Sequence, residues 1–235
     1  TVKIGAMAKG SGMIHPNMAT MLVYVTTDAK ADPADLQKML SAAVDKSFNM
    51  CTVDGDTSTN DSIFLLANGA SGVEIKTEED KKAMADLVLA ICTDMARRVA
   101  SDGEGATHLI EVEAYGLPTE HDARLVAKSI AGSMLFKAAV FGRDANWGRI
   151  LCAIGYTPGD FSIDKVCVWL SSAAGEVYVC ENAAYHPYSE EDAAKVLAEH
   201  DVLVKVDMGT GDASAKAWGC DLTYDYVKIN GDYRT

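Results

Sequence analysis

An α/β fold is predicted for this chain of 235 residues by three features of its sequence. Apolar residues recur three and four apart over 33–47 and 78–101, the period of an amphipathic helix. β-Branched or alternating apolar runs occupy 20–27, 62–68 and 109–115, as in strands with a buried face. After residue 163 the signals are mostly β, with one further helix, so both element types run through the whole chain.

Taken in order, the first distinctive stretch is Lys9 to Asp28. Gly10 and Gly12 permit tight turns or close approach to a ligand, and Pro16 lacks an N–H, so residues 9–18 are expected to be irregular. From Thr20 to the polar Thr26-Thr27-Asp28 the chain reads as a buried strand. Thr20 therefore stands where a loop enters a strand, a favourable place for a nucleophile.

Leu36, Met39, Leu40, Ala43 and Val44 make one helical face behind the start signal Asp32-Pro33. Strands are expected at 49–53 and 62–68, flanking the polar run Asp54 to Asp61, whose side chains favour a turn. That run lacks the Glu an EF-hand loop carries at its twelfth position. The longest helix, about 78–101, carries Met84, Leu87, Val88, Ile91, Met95 and Val99 on one face, with Gly103 as its natural cap. Glu104 follows between two glycines, where a carboxylate can be brought close to a ligand amine, and 109–115 alternates as a strand.

Residues 116–121 are the best candidate boundary. A helix near 120–133 and an apolar strand near 134–141 come next, then Gly142 to Ile150, where Asp144 and Asn146 can cap a short helix from Trp147. Strands are expected at 165–170, 176–180, 202–206 and 212–219. A helix with a capped, acidic first turn is expected at 189–199, and a last helix over 221–229, ending at Asn230-Gly231.

Composition narrows the function classes. A formal charge of −13 argues against nucleic acid or an anionic membrane as partner. No apolar run approaches the roughly 20 residues needed to cross a bilayer, and the start lacks a signal-peptide pattern, so a cytoplasmic protein is expected. The six cysteines are spread without a Cys-x-x-Cys pair and read as reduced, small apolar residues, and the five histidines form no metal-binding pattern.

The string Lys9-Gly10-Ser11-Gly12-Met13-Ile14-His15-Pro16-Asn17-Met18-Ala19-Thr20-Met21-Leu22 closely resembles the self-cleavage segment of the ornithine acetyltransferase (glutamate N-acetyltransferase) family of arginine biosynthesis. Thr57 to Asp61, Gly103 to Thr107, Gly142 to Ile150 and the tail from Asp221 to Thr235 support the match, so the resemblance runs through the whole chain. Ala145 departs from the family's usual Pro without removing a reactive group.

The resemblance implies a layered α-β-β-α sandwich of N-terminal-nucleophile type with a second, smaller α/β domain. Residues 1–19 would end an upstream α piece, 20–118 belong to the catalytic sandwich, and 119–235 form the C-terminal α/β domain. It implies self-cleavage between Ala19 and Thr20, freeing Thr20 as nucleophile with its own α-amino group as base. Acetyl would then pass from N2-acetylornithine to Thr20 and on to glutamate, with acetyl-CoA a second donor in some members. No cofactor or metal is implied. Lys9, Thr20, Glu104, Asn230 and Thr235 match the family's substrate-binding positions, with oxyanion donors on a Thr-Gly pair further upstream. Lys9 would meet a carboxylate and Glu104 the ornithine ammonium. The Thr57–Asp61 run takes a supporting role near the site, and Gly142–Ile150 a rim. Assembly with the α piece as an α2β2 heterotetramer is expected. Two other readings stay open: an N-terminal-nucleophile aminopeptidase or amidase of related fold, and a binding subunit whose Thr20 is never freed.

Overall fold

A computed structural model describes residues 1–15 and 21–232, and among them the chain is a mixed α/β structure with two sheets. The first sheet joins β1 (Ile4–Lys9), β2 (Leu22–Thr27) and β3 (Ser62–Ala67) in that order, with β1 antiparallel and β3 parallel to β2. In β2 burial alternates, Val23, Val25 and Thr27 facing the core while Leu22, Tyr24 and Thr26 face out. The crossover from β2 to β3 runs through α1 (Pro33–Lys46), which Asp32 starts by accepting from the Ala34 amide. α2 (Glu78–Ser101) opens on a capping box between Thr77 and Asp80 and carries three acids in its first turn, a favourable end of the helix dipole. It contacts α1, β1 of the first sheet, and strands of the second.

The second sheet has the order β7-β6-β5-β8-β4-β9, from β4 (Leu109–Leu117), β5 (Cys167–Ser172), β6 (Gly175–Glu181), β7 (Ala184–Tyr185), β8 (Asp201–Asp207) and β9 (Ala213–Cys220). β4 lies parallel to β8 and antiparallel to β9. α3 (Glu120–Gly132) packs on β4 and β9, and α6 (Glu190–Val196) on β5 and β6. This sheet takes strands from both sides of the 118–119 position. α4 (Met134–Phe141), α5 (Trp147–Gly155) and α7 (Tyr224–Asp232) complete the elements.

The structure corrects several sequence expectations. Residues 134–141 are the helix α4, where a strand is expected. A short, almost wholly apolar run cannot show its period, and here Ser133 caps the turn by accepting from Phe136 while Phe136, Lys137 and Val140 face inward. Residues 49–53 are not a strand: one 3-10 turn (Phe48–Met50) is followed by a chain that bonds Trp218 through Thr52 and Ile14 through Val53. Two unrelated partners leave no continuous ladder. β1 has no counterpart in the sequence reading, and α7 continues through Asn230 where an end is expected there. Gly103 does not adopt the left-handed conformation of a helix cap; Asp102 ends α2. A Cβ on Gly103 would stand 2.8 Å from Cys220 Sγ, so its smallness serves packing.

All six cysteines are free thiols, and four are buried. Burial pushes the Cys51 thiol up to about 12 and those of Cys92 and Cys180 to about 11, the inert condition of structural cysteines.

Candidate active site

β1 ends at Lys9, which pairs with Leu22 across the first sheet. Beyond it, Gly10 to Met13 run along one wall of a cleft of about 900 Å³. The C-terminal end of α2, with Met95, Arg98 and Asp102, forms a second wall, and Ile229 and Asn230 of α7 a third. Glu104 lies in the same cleft. Three residues matched from the sequence, Lys9, Glu104 and Asn230, are thus brought together from widely separated parts of the chain. Ala19, Thr20 and Thr235 lie outside the described residues, and so does the Ala19–Thr20 bond.

Glu104 is held by three neighbours, Ser11, Gly12 and Asn230. Its amide donates to the Ser11 carbonyl at 2.8 Å, and its carboxylate lies so close to Gly12 that a Cβ there would be 2.5 Å from the carboxyl carbon. Asn230 donates from Nδ2 to Glu104 Oε2 at 2.9 Å and to the Tyr226 carbonyl at 3.1 Å, which holds its amide toward the cleft. Gly105 has φ +67°, and an added Cβ would meet the Tyr226 amide nitrogen at 2.6 Å. Only glycine lets the turn seat against the start of α7.

α7 buries no residue of its own, so its place depends on its anchors. Thr223 Oγ1 donates to the Gly105 carbonyl at 2.7 Å. Just upstream, Asp221 is 3% exposed and accepts from the amides of Thr107 and His108 at 2.8 and 3.0 Å, while its Oδ2 lies 2.8 Å from His108 Nδ1. Burial pushes this carboxyl upward, but the bonds from His108 and Thr107 outweigh it and hold the group below the usual carboxylate range. Tyr226 is pushed up to about 12 by burial and by the negative charges of Asp54, Asp56 and Glu104.

The cleft offers two cations, Lys9 and Arg98, and two anions, Asp102 and Glu104, a set suited to a small zwitterion. Arg98 and Asp102 are the cleft residues sequence reading missed; they read as ordinary helix-end charges, and only the packing of α2 on β1 turns them toward the site. None of residues 142–150 lines this cleft. Asn146 caps α5, as the capping pattern predicts, and Phe141, just ahead of the run, makes an edge contact with Tyr224 of α7 at 5.5 Å. Among the described residues, no group of three or more His, Cys, Asp or Glu stands where it could hold a metal ion. No helix among them is long and apolar enough to cross a membrane.

Comparison with known proteins agrees along the whole chain. The ArgJ family model matches residues 1–235. The arginine biosynthesis bifunctional protein ArgJ of Symbiobacterium thermophilum is 53% identical, aligned over 100% of this chain and 58% of its own length. The protein of that name from Bacillus subtilis is 48% identical, over 100% and 57%. The chain therefore spans a little under three-fifths of these curated relatives. A crystal structure of arginine biosynthesis bifunctional protein argJ from Bacillus halodurans superposes with a TM-score of 0.84 at 43% identity, over 90% of this chain and 98% of that one. Whole-chain identity near one half, together with the shared fold, settles the kinship: this chain belongs to the ArgJ family.

Proposed function

We propose that the protein of which this chain is part transfers acetyl from N2-acetylornithine to glutamate through an acetyl ester on Thr20, after self-cleavage at Ala19–Thr20. The observation that carries this reading is the convergence of Lys9, Glu104 and Asn230 on one cleft with opposite charges. Lys9 would take a substrate carboxylate. Glu104, braced by Asn230, would take the ornithine ammonium, and Thr235 would complete the amino-acid end.

The freed α-amino group of Thr20, with an ordinary pKa of roughly 7.7 to 8.0, serves as base for its hydroxyl near neutral pH. The hydroxyl attacks the acetyl carbonyl, ornithine leaves, and the amine of glutamate takes the acetyl group from the ester. Oxyanion donors would come from the upstream piece, and acetyl-CoA is a second candidate donor. Assembly with that piece as an α2β2 heterotetramer, in the cytoplasm, belongs to the same proposal. One observation supports a partner piece: the outer face of the first sheet carries Met7, Tyr24 and Phe64 in one exposed cross-strand row.

Intact mass and N-terminal sequencing of the full-length protein, followed by brief incubation with N2-acetylornithine and no acceptor, test the reading. A fragment starting Thr20-Met21 that gains one acetyl group is expected. An uncut bond, or a cut chain that hydrolyses peptides and never forms N-acetylglutamate, overturns it.

A further inference from the structure

A second cavity, of about 550 Å³, is lined by one face of α3 and shares no lining residue with the cleft described above. From α3 come His121, Arg124, Leu125 and Lys128, whose spacings of three and four put them on one side of the helix. Asp45 at the end of α1 and Met50 of the turn after it also line the cavity, as does Tyr156 at the end of α5.

The charge of this cavity runs against that of the chain. The sequence carries 34 acidic residues against 21 basic ones, yet among the residues that line the cavity Arg124 and Lys128 meet a single carboxylate, Asp45. Asp45 Oδ1 already accepts from Asn49 Nδ2 at 2.9 Å, and Glu120, at the start of α3, is paired with Lys46 at 3.1 Å. Arg124 donates from Nη2 to the backbone carbonyl of Asp45, which orders its guanidinium before any ligand arrives. Burial, with the Arg124 charge adding to it, pushes Lys128 down to about 8, and the Lys128 charge helps burial to lower the His15 ring to about 4. Like charges crowded into a partly buried place repel, and an anion bound between them would offset that cost.

The donors suit phosphate oxygens. A guanidinium can meet two of them at once, a lysine one turn along adds a compact charge, and the His121 imidazole stands one turn before. The cavity is also wider than a bare ion needs, within the roughly 300 to 1,000 Å³ of small-molecule sites. Leu125, Met50 and the half-open ring of Tyr156 offer it an apolar surface for an organic body.

We propose that this cavity is a binding site for phosphate, carried on a small organic molecule or present as the free ion, with Arg124 and Lys128 as its cations. The inference does not depend on the acetyl-transfer reading, because the site lies apart from the cleft and is tested by binding alone.

The test is calorimetric titration of the full-length protein with ADP and, separately, with inorganic phosphate. Wild type is compared with Arg124→Gln, Lys128→Gln and His121→Gln, and with the control Lys82→Gln on α2, whose side chain is 80% exposed. ADP is expected to bind, with Arg124→Gln and Lys128→Gln each weakening it roughly tenfold and His121→Gln about threefold, while Lys82→Gln leaves it unchanged. Tm is read for every variant. Should Arg124→Gln or Lys128→Gln fail to fold, His121→Gln, which changes an exposed residue, decides the outcome. ADP bound more tightly than phosphate assigns the site to an organic phosphate, and phosphate bound as tightly as ADP assigns it to the free ion. Both results support the site. The inference is overturned if neither probe binds at millimolar concentration, as when a carboxylate of the upstream piece sits on Arg124 and Lys128. Binding that the folded α3 variants leave unchanged overturns it equally.

Discussion

Two carboxylates brace the chain around the cleft by the same means, accepting backbone amides, yet their surroundings give them different work. Asp221 is buried and gathers two amides and an imidazole, and through Thr107 and His108 it fixes the turn that carries Glu104. Asp54 is half-buried and gathers the amides of Met13, which lines the cleft, and Ile14. Removing the buried acceptor leaves the buried His108 amide and ring without their partner, which costs stability. Removing the half-exposed one leaves amides that water can satisfy, so the loss falls on the local conformation instead. One side of the cleft is built for stability, the other for geometry.

The largest effect expected from this difference is on Asp221. Asp221→Ala should lower unfolding stability by about 2 to 4 kcal/mol in denaturant titrations, the cost of breaking a buried hydrogen-bonded pair. A loss no larger than that of Asp54→Ala would break the comparison. Next comes Gly105→Ala, which forces a side chain into left-handed backbone against the Tyr226 amide. A cost of about 1 to 3 kcal/mol is expected. Because α7 must shift, KM for N2-acetylornithine, the proposed donor, should rise by roughly tenfold.

The two sides also separate by pH. Burial, helped by the charge of Lys128, lowers the His15 pKa to about 4, so the folded protein holds this ring neutral where the unfolded chain protonates it near 6.5. Protons then bind the unfolded state preferentially, and stability is lost as pH falls from about 6.5 to about 4. The ring is only partly buried, so the loss is on the order of 1 to 2 kcal/mol. Replacement His15→Gln should flatten this slope in urea titrations across that window. Asp221 has a depressed folded pKa, so its contribution is present above the ordinary carboxylate range and is lost only in stronger acid. A His15→Gln chain that keeps the slope between pH 6.5 and 4 would show that the Asp54 side is not its source. The smallest stability change belongs to Asn230→Ala, at about 0.5 kcal/mol for an exposed hydrogen bond. By freeing the Glu104 carboxylate it should still raise KM for the ornithine donor several-fold while leaving Tm within a degree or two.

Much of the fold was legible along the chain. α1, α2 and α3 could be bounded within a residue or two, because each carries both an apolar period and a capping side chain at its start: Asp32, Thr77 and Thr119. β2, β3, β4, β8 and β9 were readable from their apolar patterns. α4 was not: its run of apolar residues hides its period, and the outcome depends on which residues find a core to face. β1 was missed because its Ile-Gly-Ala-Met-Ala-Lys is weak strand text that becomes a strand by pairing with β2. Of the site, Lys9, Glu104 and Asn230 were legible only through family motifs, since a loop Glu or a terminal Lys is usually just solvated. Arg98 and Asp102 carried no signal.

By itself the sequence determined the local preferences: where helices start, which faces are apolar, and which short motifs are dense in glycine and carboxylate. Those are properties of neighbouring residues and their dihedral freedom. Tertiary structure alone decided the order of the second sheet, the helical state of α4, and the meeting of β1, the Glu104 turn and α7 around one cleft. These depend on contacts between residues far apart in the chain, whose entropy of closure is offset only when the whole core and its buried anchors, Asp221 and Lys137 among them, form together.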